Sequence, residues 1–215
     1  MLRFERKLAT FYKDLYGSRE AYADDELAVY MSQIALPRLS AGACKHLDAP
    51  ITLEELQVAA CSFPTCKAPG EDGLPMEVFT QYGELLLPEL LKVFNASLEE
   101  GVLPVSMNRA NVILLLKPGK DPVDPGSYRP ISLLQSDVKI LAKVLALRVN
   151  EIVSSIIHQD QAGFMPQKST ATNLRRLYLN MQVQAENGGR RALLSLDANK
   201  AFDSVSWRYL WAVLL

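Results

Sequence analysis

The sequence is poor in the residues that would place it outside a cell or in a membrane. Its 215 residues hold three cysteines, at 44, 61 and 66. An odd count without framework spacing excludes a disulfide scaffold and reads as reduced thiols of an intracellular protein, in nucleus or cytoplasm. Apolar runs are short, as in Val-Ile-Leu-Leu-Leu at 112–116, against the roughly 20 residues that a membrane helix needs. The first fifteen residues interleave Arg3, Glu5, Arg6, Lys7 and Lys13 with apolar positions, which excludes a secretory leader there. Histidine is scarce too. His46 and His158 stand in no motif spacing that would suggest a metal-dependent hydrolase, and Cys44, His46, Cys61 and Cys66 match no common zinc site. There is no internal repeat and no low-complexity tract.

What is present fits a globular protein with one core or a core plus an extension: 49% hydrophobic and 22% charged residues. The net charge of −1 hides an asymmetry. Residues 1–108 carry 9 basic and 16 acidic side chains, whereas residues 109–191 carry 12 and 6. A basic middle segment suits an anionic partner such as phosphate or nucleic acid; uneven surface charge explains it as well.

Periodicity predicts helices first. Phe4, Leu8, Phe11 and Leu15 share a helical face before Gly17, and Leu27, Tyr30, Met31 and Ile34 share another before Pro37. Thr52 followed by Glu55 is a capping box for a third helix. Residues 66–75 form a turn-rich loop, and 89–101 an amphipathic helix ending on Gly101. From residue 110 the texture changes. A buried strand is predicted over 110–117, a Pro/Gly loop after it, helices over 136–157 and from 170 to the Gly188–Gly189 pair, a strand over 191–197, and a helix start beyond it. Helices followed by mixed elements indicate an α+β fold.

Three stretches carry chemistry. In "LLSLDANKAFDSVSW" a strand would deliver Asp197 at its C-terminal end, where a rigid carboxylate suits a hard cation. The competing reading gives the weight to Asp203, as the N-cap of the next helix. In "LLLKPGKDP", Lys117 and Lys120 flank a turn. In "SYRPISLL", Arg129 precedes a proline that forces extended backbone. Cations on stiff loops suit a polyphosphate; solvated loop charge is the simpler account of either stretch alone.

Together with "KAPGEDGLP", "GVLPVSMNRANVILLLKPGKDP", "KILAKVLALRVNEIV" and "HQDQAGFM", these stretches resemble, in the same order, the reverse transcriptases of LINE-type non-LTR retrotransposons over about residues 50–215. The resemblance implies the fingers and first palm strand of a right-hand polymerase: a helical connector over 1–50, an N-terminal extension over 51–109, fingers over 110–190 and the start of the palm from 191. Asp197 matches the first metal-binding aspartate, a ligand of Mg²⁺. Phe202 matches the bulky gate that excludes a ribose 2′-hydroxyl, and Ala198 to Ala201 would line the triphosphate. Arg129 and Lys117 match the fingers cations on that triphosphate. Gln161, Gly163 and Phe164 match a block near template and nucleotide. Lys139, Lys143 and Arg148 are candidate contacts to template phosphates; a solvated helix face explains them equally well. The implied partners are an RNA template, a DNA primer and a deoxynucleoside triphosphate. Two departures stand out: Gln167-Lys168 replaces the family's Gly-Arg, and Glu71 replaces a proline.

The family's Gln-Gly block, Tyr-x-Asp-Asp hairpin and thumb have no counterpart after Asp197. The expectation is a truncated domain without polymerase activity of its own. The alternative is a non-catalytic nucleic-acid-binding remnant or domesticated fragment. Tyr22-Ala23-Asp24-Asp25 imitates the hairpin motif, but its acidic residues followed by apolar positions at helical spacing predict a helix start.

Overall fold

A computed structural model describes residues 2–17, 24–165, 168–186, 192–198 and 201–214. The chain divides into two compact units, one made of Leu39–Lys120 and Gly126–His158, the other of Met1–Arg38, Asp121–Pro125 and Gln159–Leu215.

Helix caps frame the first unit: the Thr52–Glu55 box is an expected one, whereas the Ser40 cap and the helix it opens are not among the sequence expectations. The Ser40 hydroxyl accepts the Ala43 N–H (3.2 Å) at the start of α3 (Ala41–Asp48). At α4 (Leu53–Cys61), Thr52 Oγ1 accepts the Glu55 N–H (3.2 Å) while the Glu55 carboxylate accepts the Thr52 N–H (2.8 Å). After α5 (Met76–Gln81) comes α6 (Gly83–Glu100). It starts six residues before the predicted position and takes Pro88 into its interior, at the cost of the bond to the Glu84 carbonyl. Gly101 ends it at φ 69°, a left-handed position that glycine adopts without strain. The core gathers Leu56 and Ala59 of α4, Phe94 of α6, and Ile140 and Val144 of α7 (Ser136–Ile156). Asn95 fastens α6 to the entry of α4, accepting from Ile51 N (2.8 Å) and donating to Ile51 O (3.0 Å).

Strands β1 (Ala110–Leu116) and β2 (Tyr128–Leu134) form an antiparallel pair with Leu115 opposite Arg129 and Leu114 opposite Pro130. The Lys117 N–H donates to Ser127 O (2.9 Å), so alternate pairs from there exchange bonds and Leu114–Pro130 falls between them. Proline therefore sits where a backbone N–H would point out of the ladder. The strand predicted over 110–117 exists, but most of it is exposed rather than buried, because β2 is its one partner among the described residues.

The second unit holds α1 (Leu2–Tyr16), α2 (Asp24–Ser32), α8 (Thr170–Glu186) and α9 (Trp207–Leu214). Asp24 and Asp25 open α2, as expected for a helix start; Tyr22 and Ala23 lie outside the described residues. Gly188, Gly189 and Arg191 lie outside them too. The strand expected over 191–197 is not found at 192–197: this stretch is irregular and exposed. A strand is defined by its ladder, and no described segment pairs with this one. The molecule is thus α+β, mainly helical with a two-stranded sheet. Among the described residues no helix is long and apolar enough to cross a membrane.

Candidate functional site

Arg129 and Lys117 lie on one face of the hairpin, because Arg129 stands opposite Leu115 and Lys117 lies two residues beyond Leu115. They differ in freedom. The Lys117 ammonium donates to Gly126 O (3.0 Å) and closes the Pro/Gly loop, whereas the exposed Arg129 guanidinium has no partner among the described residues. The loop 66–75 is mostly exposed but closely packed at Gly70. A Cβ on Gly70 would lie 2.6 Å from both N and Cα of Gln135, so only glycine fits. The Ser136 hydroxyl donates to Leu74 O (2.7 Å), and Asp72 takes the Leu74 N–H (3.1 Å), closing the turn beside Glu71. Glu77 accepts the Cys66 N–H, which holds its carboxyl below the usual range.

Arg148 is not a phosphate contact. It is buried, with Nε and Nη2 forking onto Glu55 (2.6 and 2.8 Å) and its remaining donors on the carbonyls of Leu47, Ala49 and Pro50. This ties α7 to the end of α3 and the start of α4. The Arg148 guanidinium pulls the Glu55 carboxyl down to about 2. The sequence held a signal for this: Arg148 follows Val144 by four residues, on the apolar stripe of α7. Lys139 is engaged as well, with Ala68 O (3.4 Å), and Lys143 is half-buried on the same helix.

In the second unit, Gln161, Gly163 and Phe164 form a turn in which Gln161 Nε2 donates to Gly163 O (3.1 Å). The turn is anchored on α8 through Asp160, whose carboxylate pairs with Arg176 and whose carbonyl accepts from Asn173 Nδ2 (2.6 Å). Phe164 has a left-handed backbone (φ 60°) and is 95% exposed. A non-glycine residue held there is strained, a state commoner at functional sites than elsewhere. Its ring meets that of Phe202, itself 87% exposed, edge to face with centroids 6.4 Å apart. Two sequence blocks that carry the family resemblance therefore touch through their aromatic residues.

Asp197 and Ala198 end the irregular 192–198 stretch, both exposed, and the Asp197 carboxylate has no hydrogen-bond partner among the described residues. No three His, Cys, Asp or Glu among the described residues are grouped to hold a metal. Asp197 fits a divalent cation as one carboxylate ligand, but these donors do not build a magnesium site, and Cys44, His46, Cys61 and Cys66 do not build a zinc site. All three cysteines are free and exposed, and His46 pairs with Glu151 (3.1 Å). Asp203 is not an N-cap: α9 begins at Trp207, and its first turn closes from Leu210 N to Ser206 O (3.0 Å).

Comparison with known proteins places these residues in one lineage. Residues 115–215, which contain all eight site candidates, match the family model "Reverse transcriptase (RNA-dependent DNA polymerase)". Over 83% of its length the chain is 37% identical to the transposon TX1 uncharacterized 149 kDa protein of Xenopus laevis, of which it covers 14%. Over 73% of its length it is 36% identical to the RNA-directed DNA polymerase from mobile element jockey of Drosophila funebris, covering 17% of that protein. It is 30% identical over 75% of its length to the retrovirus-related Pol polyprotein from type-1 retrotransposable element R2 of Popillia japonica, covering 21% of it. The chain spans only a small part of the relatives it matches, and within that part it belongs to the reverse transcriptase family of non-LTR retrotransposons.

Proposed function

We propose that the chain is the nucleotide-facing portion of an RNA-directed DNA polymerase: extension over 51–109, fingers over 110–190 and the opening of the palm from 191. In this reading Arg129 grips the incoming triphosphate, and Lys117 shapes the loop beside it. Gln161, Gly163 and Phe164 border the base, Phe202 stands against the sugar, and the Ala198 backbone lies along the phosphates. Asp197 supplies one carboxylate toward Mg²⁺, whose chemistry in the family is activation and charge neutralisation at the transferring phosphoryl group. The supporting observation is the Phe164–Phe202 contact, two exposed rings from separate blocks held together at a strained backbone position.

Two-metal chemistry needs carboxylates from more than one segment, and among the described residues no three His, Cys, Asp or Glu side chains are grouped to hold a metal. The chain by itself is therefore expected to show no primer extension with Mg²⁺, deoxynucleotides and an RNA template. Extension that is abolished by Asp197→Ala would overturn this expectation.

A binding role without catalysis is the second reading. The side chains of Arg109, Lys120, Arg129, Lys143 and Arg175 have no partner among the described residues, which leaves them available to an RNA or DNA backbone. Fluorescence anisotropy with a labelled RNA should give an affinity that falls steeply from low to moderate salt. No binding at low salt would remove this reading.

A further inference from the structure

Asp203 lies one residue beyond Phe202 and caps no helix. Its half-buried carboxylate instead accepts the Tyr16 hydroxyl (Oδ1, 3.0 Å) across 187 residues of sequence. Tyr16 is not alone. Tyr12 lies one helical turn before it, and the two rings stack with centroids 5.9 Å apart and planes 17° from parallel. The Tyr12 hydroxyl is buried and makes no hydrogen bond among the described groups. A buried hydroxyl without a partner is costly, so something must hold it there, and the stack against the anchored Tyr16 supplies that. Burial, and then the Asp203 charge, pushes both phenols above their ordinary range.

We propose that Asp203 is the seat of the N-terminal helix α1, and that Tyr12 and Tyr16 are positioning residues which fix the 201–204 turn and so the stance of Phe202. The consequence for function rests on the reading of Phe202 as the residue against the nucleotide sugar. Sugar discrimination would then depend on a helix some 190 residues away in sequence, although α1 itself touches no substrate. The bond is charge-assisted, which makes it stronger than a neutral hydroxyl contact. It is also exposed enough that a single substitution should open it without unfolding the chain.

The test needs neither nucleotide nor metal, so its outcome is independent of whether the chain proves to be part of a polymerase. Amide hydrogen exchange is measured on the full 215-residue chain, wild type beside Tyr16→Phe and Asp203→Asn. Each variant should speed exchange in peptides from α1 by about tenfold, the equilibrium weight of one charge-assisted hydrogen bond. Tyr16→Phe should also speed exchange at 201–206, which a role confined to α1 would not do. Peptides from α7 should be unchanged, showing that the chain remains folded. In alkaline absorbance titration, Asp203→Asn should bring two of the eight tyrosines down toward the ordinary phenol range. Unchanged exchange at 201–206 in Tyr16→Phe, or α1 amides unprotected in the wild type, would overturn the proposal.

Discussion

Residues 51–144 and residues 192–214 are both rich in leucine, yet they end in opposite states. In the first stretch Leu56, Phe94, Ile140 and Val144 are fully buried, each on a helix whose apolar stripe meets another stripe. In the second, Leu193, Leu194 and Leu196 are exposed in an irregular stretch, and Trp207 and Trp211 of α9 are exposed too. The contrast shows that apolar composition creates only a demand for burial. Whether the demand is met depends on a partner surface. A helix satisfies its own backbone and needs a partner only for its side chains. A strand needs a second strand even for its backbone, so the exposed 192–198 stretch, with no ladder partner among the described residues, leaves its backbone to water and its leucines without a partner surface.

Substitutions in the two regions should differ widely in effect. The largest effect is expected at Phe94, whose relative exposure is 0%. Phe94→Ala should destabilise the unit of residues 39–120 and 126–158 by about 3–5 kcal/mol, from lost transfer energy and the cavity left behind. Urea denaturation followed by circular dichroism measures it. A loss below 1 kcal/mol would mean that the core is not as closely packed as the burial of Phe94 indicates.

Next comes Arg148→Ala, which strands Glu55 and three backbone carbonyls. A loss of about 3 kcal/mol is expected, at the lower end for a broken buried pair because the Glu55 side chain keeps 28% of its exposure. The pair also has a pH signature. The Glu55 carboxyl is depressed in the folded chain to about 2, so its contribution is complete above the ordinary glutamate range near 4.5 and is lost as pH falls from there toward 2. Stability measured across that window should slope in the wild type and flatten in Glu55→Gln; equal slopes would place the acid sensitivity elsewhere.

The smallest effect is expected in the other region. Leu196 is 83% exposed, so Leu196→Ser should change stability by no more than about 0.5 kcal/mol while reducing self-association, read by light scattering. A loss as large as that of Phe94→Ala would show that 192–198 is buried in solution and would dissolve the contrast.

Much of the helical framework was legible because its signals are local. The Thr52–Glu55 box, the glycine that ends α6 and the long α7 all rest on spacings of three or four residues. The candidate site was legible only as a set of candidates. The order of the blocks names Lys117, Arg129, Asp197 and Phe202, whereas Arg148 was expected at template phosphates, and no local pattern names its partner, Glu55, 93 residues away. The same holds for Asp160 with Arg176 and for Tyr16 with Asp203.

The Thr52–Glu55 cap, the main helical periods and the family to which the chain belongs could be read from the residues alone, since they are written in neighbouring positions or in the order of short motifs. Tertiary structure alone decided that Arg148 is a buried tie rather than a phosphate contact. It also decided that Lys117 closes a loop while Arg129 has no partner among the described residues, that Phe164 meets Phe202, and that the leucines before Asp197 pair with no described strand. Each of those outcomes depends on which distant surface a side chain or backbone meets. A desolvated charge or an unpaired strand is governed by that meeting, and residue spacing along the chain does not specify it.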